Sequence, residues 1–400
     1  MRKKVLGQHR TMGQGDSARD FDTSESMKNA EILDVFPIFH TARLGQKIRR
    51  SPQLPLWGVA LALFLILALL LGGCSLPAAP TVPVSGDGLT VHYIDVGQAD
   101  CILLECGGEF LLIDGGNRDD GQLVVSYLEQ QGVESLTAVV CTHAHEDHVG
   151  GLPAVLAVYP TEAVYAPTRT YASKVFDDFV YYTDQQGLSI TIPAPGDSWT
   201  LGEAGATVLG PVKSYAETND TSIVLRVSYG ETAFLFTGDM ETTAENDMLD
   251  YWDGRVSWKT DVLKVGHHGS NTSTGYRFLN EVSPDYAVIS VGRDNSYGHP
   301  HEEPMSRLNQ AGVTVFRTDR LGTVIARSDG QTVSLTWENQ SANPENAEAA
   351  EAVRFIGNVN SHKFHVPGCP NLPAEKNRIL FDTYQQAVDA GYTPCGSCLG

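Results

Sequence analysis

The chain has 400 residues, 42% of them hydrophobic and 19% charged, more than one ordinary domain needs and the composition of a globular protein with an apolar segment attached. Lysine and arginine number 28 against 48 aspartates and glutamates, a formal charge of −20 at pH 7. A protein that held nucleic acid tightly by counterion release alone would be basic, so that class is disfavoured.

Residues 1–53 are polar, show no convincing periodicity and are read as a cytoplasmic or leader tail, with Met27 as a candidate later start. Residues 54–74 follow as a signal or transmembrane segment, because positions 54–73 hold no charge and are long enough to cross about 30 Å of hydrocarbon. Arg43, Lys47, Arg49 and Arg50 stand just before it, which assigns everything after it to the extracytoplasmic face of the cell membrane. The segment ends Leu71-Gly-Gly-Cys74-Ser, which resembles the lipobox of bacterial lipoproteins and makes Cys74 the candidate lipidation site. An uncleaved signal anchor is the alternative, since the polar tail is long for a leader. Either reading tethers the protein to a membrane. Residues 75–88, rich in Pro, Ala and Ser, are a linker.

A folded domain is expected over residues 89–338. Short apolar runs at 89–95, 101–106, 109–114, 136–141, 162–166, 188–192, 206–210, 223–229 and 232–237 read as strands, with helices at 120–132, 241–252 and 272–282. Four closing strands are expected at 285–291, 313–318, 322–327 and 331–337. Cys101, Cys106 and Cys141 fall in strand-like runs and read as buried thiols, a Cys101–Cys106 disulfide being the alternative.

Residues 142–151 read Thr-His-Ala-His-Glu-Asp-His-Val-Gly-Gly and pack His143, His145, Asp147 and His148 into one loop after a buried strand. Imidazoles and carboxylates are the ligands of zinc and similar divalent ions, and a rigid sheet aims loop ligands well. His-x-His-x-Asp-His resembles the signature of the metallo-β-lactamase superfamily, and the resemblance runs over about residues 89–337. Tyr93-Ile-Asp-Val-Gly-Gln-Ala-Asp100, Leu112-Ile-Asp-Gly-Gly116, Phe236-Thr-Gly-Asp239, Leu263-Lys-Val-Gly-His-His-Gly-Ser270 and Tyr297-Gly-His-Pro300 narrow it to the metallo-hydrolase domain of ComEC-type competence proteins.

The resemblance implies an α/β fold, an αββα sandwich, and two divalent metals, zinc or manganese. His143 and His145 would hold the first, Asp147 and His148 the second, and Asp239 would bridge both. His267 is taken as the later ligand and His268 as a proton-donating or outer residue, the exchange of the two being the alternative. Asp147, His268 and His299 are the candidate catalytic residues, and Asp95 and Asp114 the candidate outer carboxylates that orient ligands. Gln98 and Asp100 belong to the same stretch as Asp95, where Ala99 replaces the family's glycine. No histidine lies in the loop just before Ser222, where the β-lactamase pattern has one, so Asp220 of Asn219-Asp220 is the candidate weak ligand, or else a cap or turn residue. Lys264 is read as a phosphate contact or a solvated base.

Residues 339–352 read as a second linker, and residues 353–400 as a small unit in which His365, Cys369, Cys395 and Cys398 form a closed set for one structural zinc. Phe355-Ile-Gly-Asn through Cys398 resembles the zinc-binding domain of Ada-type repair proteins, with His365 in place of the first cysteine. Disulfide pairing is the alternative and would leave one of three cysteines over.

These features together imply a membrane-tethered extracellular metal-dependent hydrolase, a phosphodiesterase or nuclease acting on DNA through a metal-bound hydroxide. Envelope phosphoesters or lactams are the alternative substrates, and a non-catalytic DNA-capture lipoprotein the alternative of another class. No nucleotide cofactor is expected, and the oligomeric state is open.

Overall fold

The computed structural model describes residues 88–345 and 354–399. The polar tail, the apolar segment 54–74, Cys74 and the tether up to residue 87 therefore lie outside the described residues. Among the described residues no helix is long and apolar enough to cross a membrane.

Strands β1 (Leu89–Tyr93), β2 (Ile102–Cys106), β3 (Glu109–Ile113), β4 (Leu136–Val140) and β5 (Thr161–Tyr165) begin the first sheet. A second sheet takes β6 (Ser198–Leu201), β7 (Ala204–Gly210), β8 (Val224–Tyr229), β9 (Thr232–Phe236), β10 (Val262–Lys264), β11 (Tyr286–Ile289) and β12 (Thr314–Arg317). β13 (Val324–Ser328) and β14 (Val333–Trp337) return to the first, giving the orders β14-β13-β1-β2-β3-β4-β5 and β12-β11-β10-β9-β8-β7-β6. Hairpins open each sheet because the chain supplies tight turns there: Gly107 and Gly108 sit at φ 62° and 81° between β2 and β3. β3, β4 and β5 are then parallel, as are β9 to β12. These strands are the continuous apolar runs, and all five residues of β9 are buried.

Three apolar cores make the layering. Tyr93, Leu104, Phe234 and Phe236 lie among the residues packed between the sheets. Leu112, Val139, Phe176 and Phe179 join the first sheet to the helices Gly121–Gln130, Leu152–Val158 and Lys174–Gln185. Leu235, Leu263, Phe278 and Leu308 join the second sheet to Thr242–Trp252, Tyr276–Val282 and Glu302–Gln310. The result is the expected αββα sandwich. Each large side chain buried fully contributes about 1.5–3 kcal/mol, so the strand ends are rigid platforms. The C-terminal ends of β3, β4, β9, β10 and β11 feed loops to one rim.

Several elements differ from expectation. Residues 188–192 form no strand and only bridge Thr191 to Tyr165. Leu152–Val158, Lys174–Gln185 and Glu302–Gln310 are helices that periodicity did not announce; the last buries only Pro304 and Leu308. The helix expected from 272 starts at Tyr276, because residues 266–275 are a loop. The linker expected from 339 is packed as far as 345: Trp337 Nε1 donates to the Ala342 carbonyl (3.0 Å), and Glu345 bridges Val315 and pairs with Arg317.

At the C-terminal end β15 (Phe355–Asn358), β16 (Lys363–His365), β17 (Arg378–Phe381) and β18 (Thr393–Pro394) form a sheet in the order β17-β15-β16-β18 with the helix Tyr384–Asp389. Phe355, Phe364, Phe381, Ala387 and Leu399 are its buried core, and Tyr276 of the sandwich packs against it.

Candidate metal centres

Asp114, at the end of β3, is buried and anchors the histidine loop from below. Its Oδ1 accepts the Thr142 amide (2.7 Å), and its Oδ2 accepts the Thr142 hydroxyl (2.7 Å) and His148 Nδ1 (2.8 Å). With Nδ1 committed, His148 turns Nε2 toward Asp239 Oδ1 at 3.3 Å and Asp147 Oδ2 at 3.9 Å. His268 is held in the same way, donating Nδ1 to the Ser290 carbonyl (2.9 Å) after β11. Its Nε2 then lies 3.3 Å from Asp147 Oδ2 and 3.6 Å from Asp239 Oδ2. Donor atoms of Asp147, His148, Asp239 and His268 all fall within 4.8 Å of one another.

A second group shares Asp239. His143 Nε2 stands 3.0 Å from His145 Nδ1 and 3.9 Å from Asp239 Oδ2. Asp239 thus turns one oxygen to His148 and the other toward His143 and His268.

The residues fit divalent cations. His148 Nε2, His268 Nε2 and Asp239 Oδ1 are buried polar atoms without a hydrogen-bond partner, and all three aim into one space. Asp147 and buried Asp239 bring two carboxylates into the donor cluster, whose charge a bound cation would offset, while Asp100 is already paired with Lys264. Burial would raise the Asp239 carboxyl, but His268, His148 and His143 hold it well below the usual carboxylate range. Burial would lower His268, but Asp239, Asp100 and Asp147 push it up to about 10.

The backbone is strained at this rim. Asp114, His267 and His268 have φ of 58°, 49° and 53°, left-handed conformations that cost non-glycine residues about 1–2 kcal/mol each and persist where surroundings enforce them. Gly151, behind the histidine loop, is indispensable for a different reason: a Cβ there would lie 2.1 Å from the Gly115 carbonyl oxygen.

Five expectations are corrected or refined by this geometry. His267, expected in the ligand position, is on the rim with Nδ1 3.1 Å from Glu241 Oε1 and Nε2 3.7 Å from Asp239 Oδ2, while His268 occupies the donor cluster. Asp220 is outside the donor clusters: it is buried and accepts the Glu241 amide (3.1 Å) at the start of the helix Thr242–Trp252, and its neighbour Asn219 approaches His267 (3.4 Å). Asp95 closes its own turn by accepting the Gly97 amide (3.2 Å), and Asp100 is the carboxylate near the imidazoles, 3.4 Å from His268 Nδ1. Lys264 is neither solvated nor open to substrate; it is fully buried and pairs with Asp100 at 2.6 Å. His299 does reach the site, its ring 5.5 Å from that of His267 and its Nδ1 3.4 Å from Gln98 Nε2. Burial, with His267, His268 and His301, lowers His299 to about 4, so it is neutral at pH 7.

Glu241 and Arg307 were not singled out from the sequence. Glu241 lies two residues past Asp239, the one cue that could have drawn attention to it. Arg307 is called up by loop carbonyls more than thirty positions away.

In the C-terminal unit His365 Nδ1 is 3.3 Å from Cys369 Sγ and 4.0 Å from Cys398 Sγ, and Cys395 completes a set within 4.8 Å. Three sulfurs and one imidazole are the donor chemistry of a structural zinc site. All three are free thiols, as are Cys101, Cys106 and Cys141.

The profile described as the metallo-beta-lactamase superfamily matches residues 94–293, and that described as the metal binding domain of Ada matches residues 339–399. The ComE operon protein 3 of Bacillus subtilis is 28% identical over 253 residues, covering 58% of this chain and 32% of the relative. Competence protein ComA of Neisseria gonorrhoeae is 32% identical over 255 residues, covering 64% and 34%. Recombination protein 2 of Haemophilus influenzae is 32% identical over 242 residues, covering 58% and 28%. The chain therefore spans about a third of the length of these relatives. On the family match, the sandwich and the donor clusters, the chain belongs to the metallo-β-lactamase superfamily, with an Ada-type metal-binding unit at its C-terminal end.

Proposed function

We propose that the rim binds two divalent metals, zinc or manganese, and hydrolyses phosphodiesters, with DNA as the substrate. The observation that carries this is Asp239, one carboxylate that reaches both donor groups, Oδ1 toward His148 and Oδ2 toward both His143 and His268. His143 and His145 with Asp239 would hold one ion, and Asp147, His148 and His268 with Asp239 the other. Such a pair supplies a nucleophile at neutral pH and offsets charge on a phosphoryl group. Asp114 and Ser290 keep both Nε2 atoms free by occupying the Nδ1 positions. His267, oriented by Glu241, is placed to pass a proton to a leaving oxygen, while His299, beside Gln98 and neutral at pH 7, can take part only as a hydrogen-bond partner or base. The names of the relatives, competence and recombination proteins, favour DNA among phosphodiesters. Tethering to the extracytoplasmic face through residues 54–74 is part of the same reading.

The formal charge of −20 favours a second reading, a smaller phosphoester or lactam of the cell envelope. Purified chain loaded separately with zinc and manganese distinguishes them, using linear DNA beside bis-p-nitrophenyl phosphate. Metal-dependent cutting of both, lost in His145→Ala, is the expected outcome. Hydrolysis of the small ester alone would remove DNA as substrate, and inactivity on both would remove the phosphodiesterase.

A further inference from the structure

The loop 266–275 carries His267 and His268, and the residue that follows it is built into the C-terminal unit. Tyr276 meets Phe355 edge-on at 5.4 Å and packs with Cys398 at the margin of that unit's apolar core. Arg307 lies over the Tyr276 ring at 5.7 Å. From there its Nε donates to the Thr274 carbonyl and its Nη2 to the Ser273 carbonyl, both at 2.8 Å. Glu245 accepts the amides of Thr274 and Gly275, and the Ser273 hydroxyl closes the loop onto the Gly266 carbonyl at 2.7 Å. Further along the helix, Asn280 Nδ2 donates to Gln385 Oε1 at 3.0 Å.

We propose that the C-terminal unit is a brace for the hydrolase centre: metal held by His365, Cys369, Cys395 and Cys398 keeps Phe355 against Tyr276, and through Arg307 keeps the loop in the shape that aims His268. Two physical features make this coupling necessary. Among the described residues the unit's apolar cluster holds only five buried side chains, a core too small to hold its shape without a metal. His267 and His268 both stand in left-handed backbone conformations, which relax unless neighbours enforce them. The C-terminal donors take no part in the reaction, so Tyr276 and Arg307 are positioning residues. The inference rests on the reading of the rim as a metal site, but not on DNA as its substrate.

The test uses the full chain loaded with zinc, with hydrogen exchange at the Thr274 and Gly275 amides and the chelator concentration that strips the hydrolase centre as readouts. Cys398→Ser, which loses the C-terminal zinc, is expected to exchange about tenfold faster at both amides and to release the hydrolase zinc at several-fold lower chelator. Tyr276→Ala keeps all four C-terminal donors and is expected to show the same loosening with that zinc retained, which covers the case of a Cys398→Ser chain that does not fold. Wild-type exchange and an unchanged chelator midpoint in either folded variant would overturn the brace. Neither readout involves turnover, so failure of the substrate reading leaves this test intact.

Discussion

His268 Nε2 is buried and unpartnered, whereas the His267 side chain is 24% exposed. One sequence position therefore separates a metal donor from a rim residue. Replacing His268 by alanine is expected to remove about one metal equivalent and to cost roughly three orders of magnitude in kcat. His267→Ala is expected to keep both equivalents and lose about 10–100-fold in kcat. Metal analysis beside steady-state kinetics separates them, and loss of metal from the His267 variant would reverse the roles. The histidine cluster itself was legible because its spacing has few other uses, and Asp239 and Asp114 were legible as carboxylates closing strands. The choice within the His-His pair was not, since it depends on the Ser290 carbonyl and on two left-handed φ values. Asp220 was equally opaque: whether it ligates or caps is decided by the Glu241 amide, twenty-one positions on.

At the level of elements, the buried strands could be read from their apolar runs and the helices Gly121–Gln130 and Thr242–Trp252 from their stretches between strands, while Leu152–Val158, Lys174–Gln185 and Glu302–Gln310 could not, the last burying only Pro304 and Leu308. The helix Thr242–Trp252 supplies a further consequence through Glu245, which is fully buried beneath the loop 266–275. Burial raises its carboxyl from 4.5 to about 7, against the Gly275 and Thr274 amides and Arg307, which act to lower it. The folded chain therefore keeps a proton that the unfolded chain releases between those values. The stabilisation is complete below the ordinary carboxylate range and is lost as pH rises through about 7, at most about 3 kcal/mol from this group. Glu245→Gln cannot ionise, so the stability of wild type relative to this variant should fall from pH 5 to pH 8 in denaturant titrations. A constant difference across that range would show that Glu245 is ionised throughout.

Over the whole molecule the decisive quantity is charge. A chain at −20 repels a polyanion at every distance that solvent does not screen, and metals bound at the rim as proposed would offset this locally. Screening shortens from about 30 Å at 0.01 M salt to about 8 Å at 0.15 M, so the repulsion fades over that range while the contacts at the metals persist. A nuclease that relied on lysines and arginines would behave oppositely and lose affinity steeply. For this chain, kcat/KM on linear DNA is expected to rise several-fold between about 10 and about 150 mM monovalent salt at fixed divalent concentration, with bis-p-nitrophenyl phosphate changing less than about twofold. A fall that is linear in the logarithm of salt concentration would mean that a local basic face grips the phosphates, and would overturn the account in which the metal pair alone draws DNA to an acidic surface.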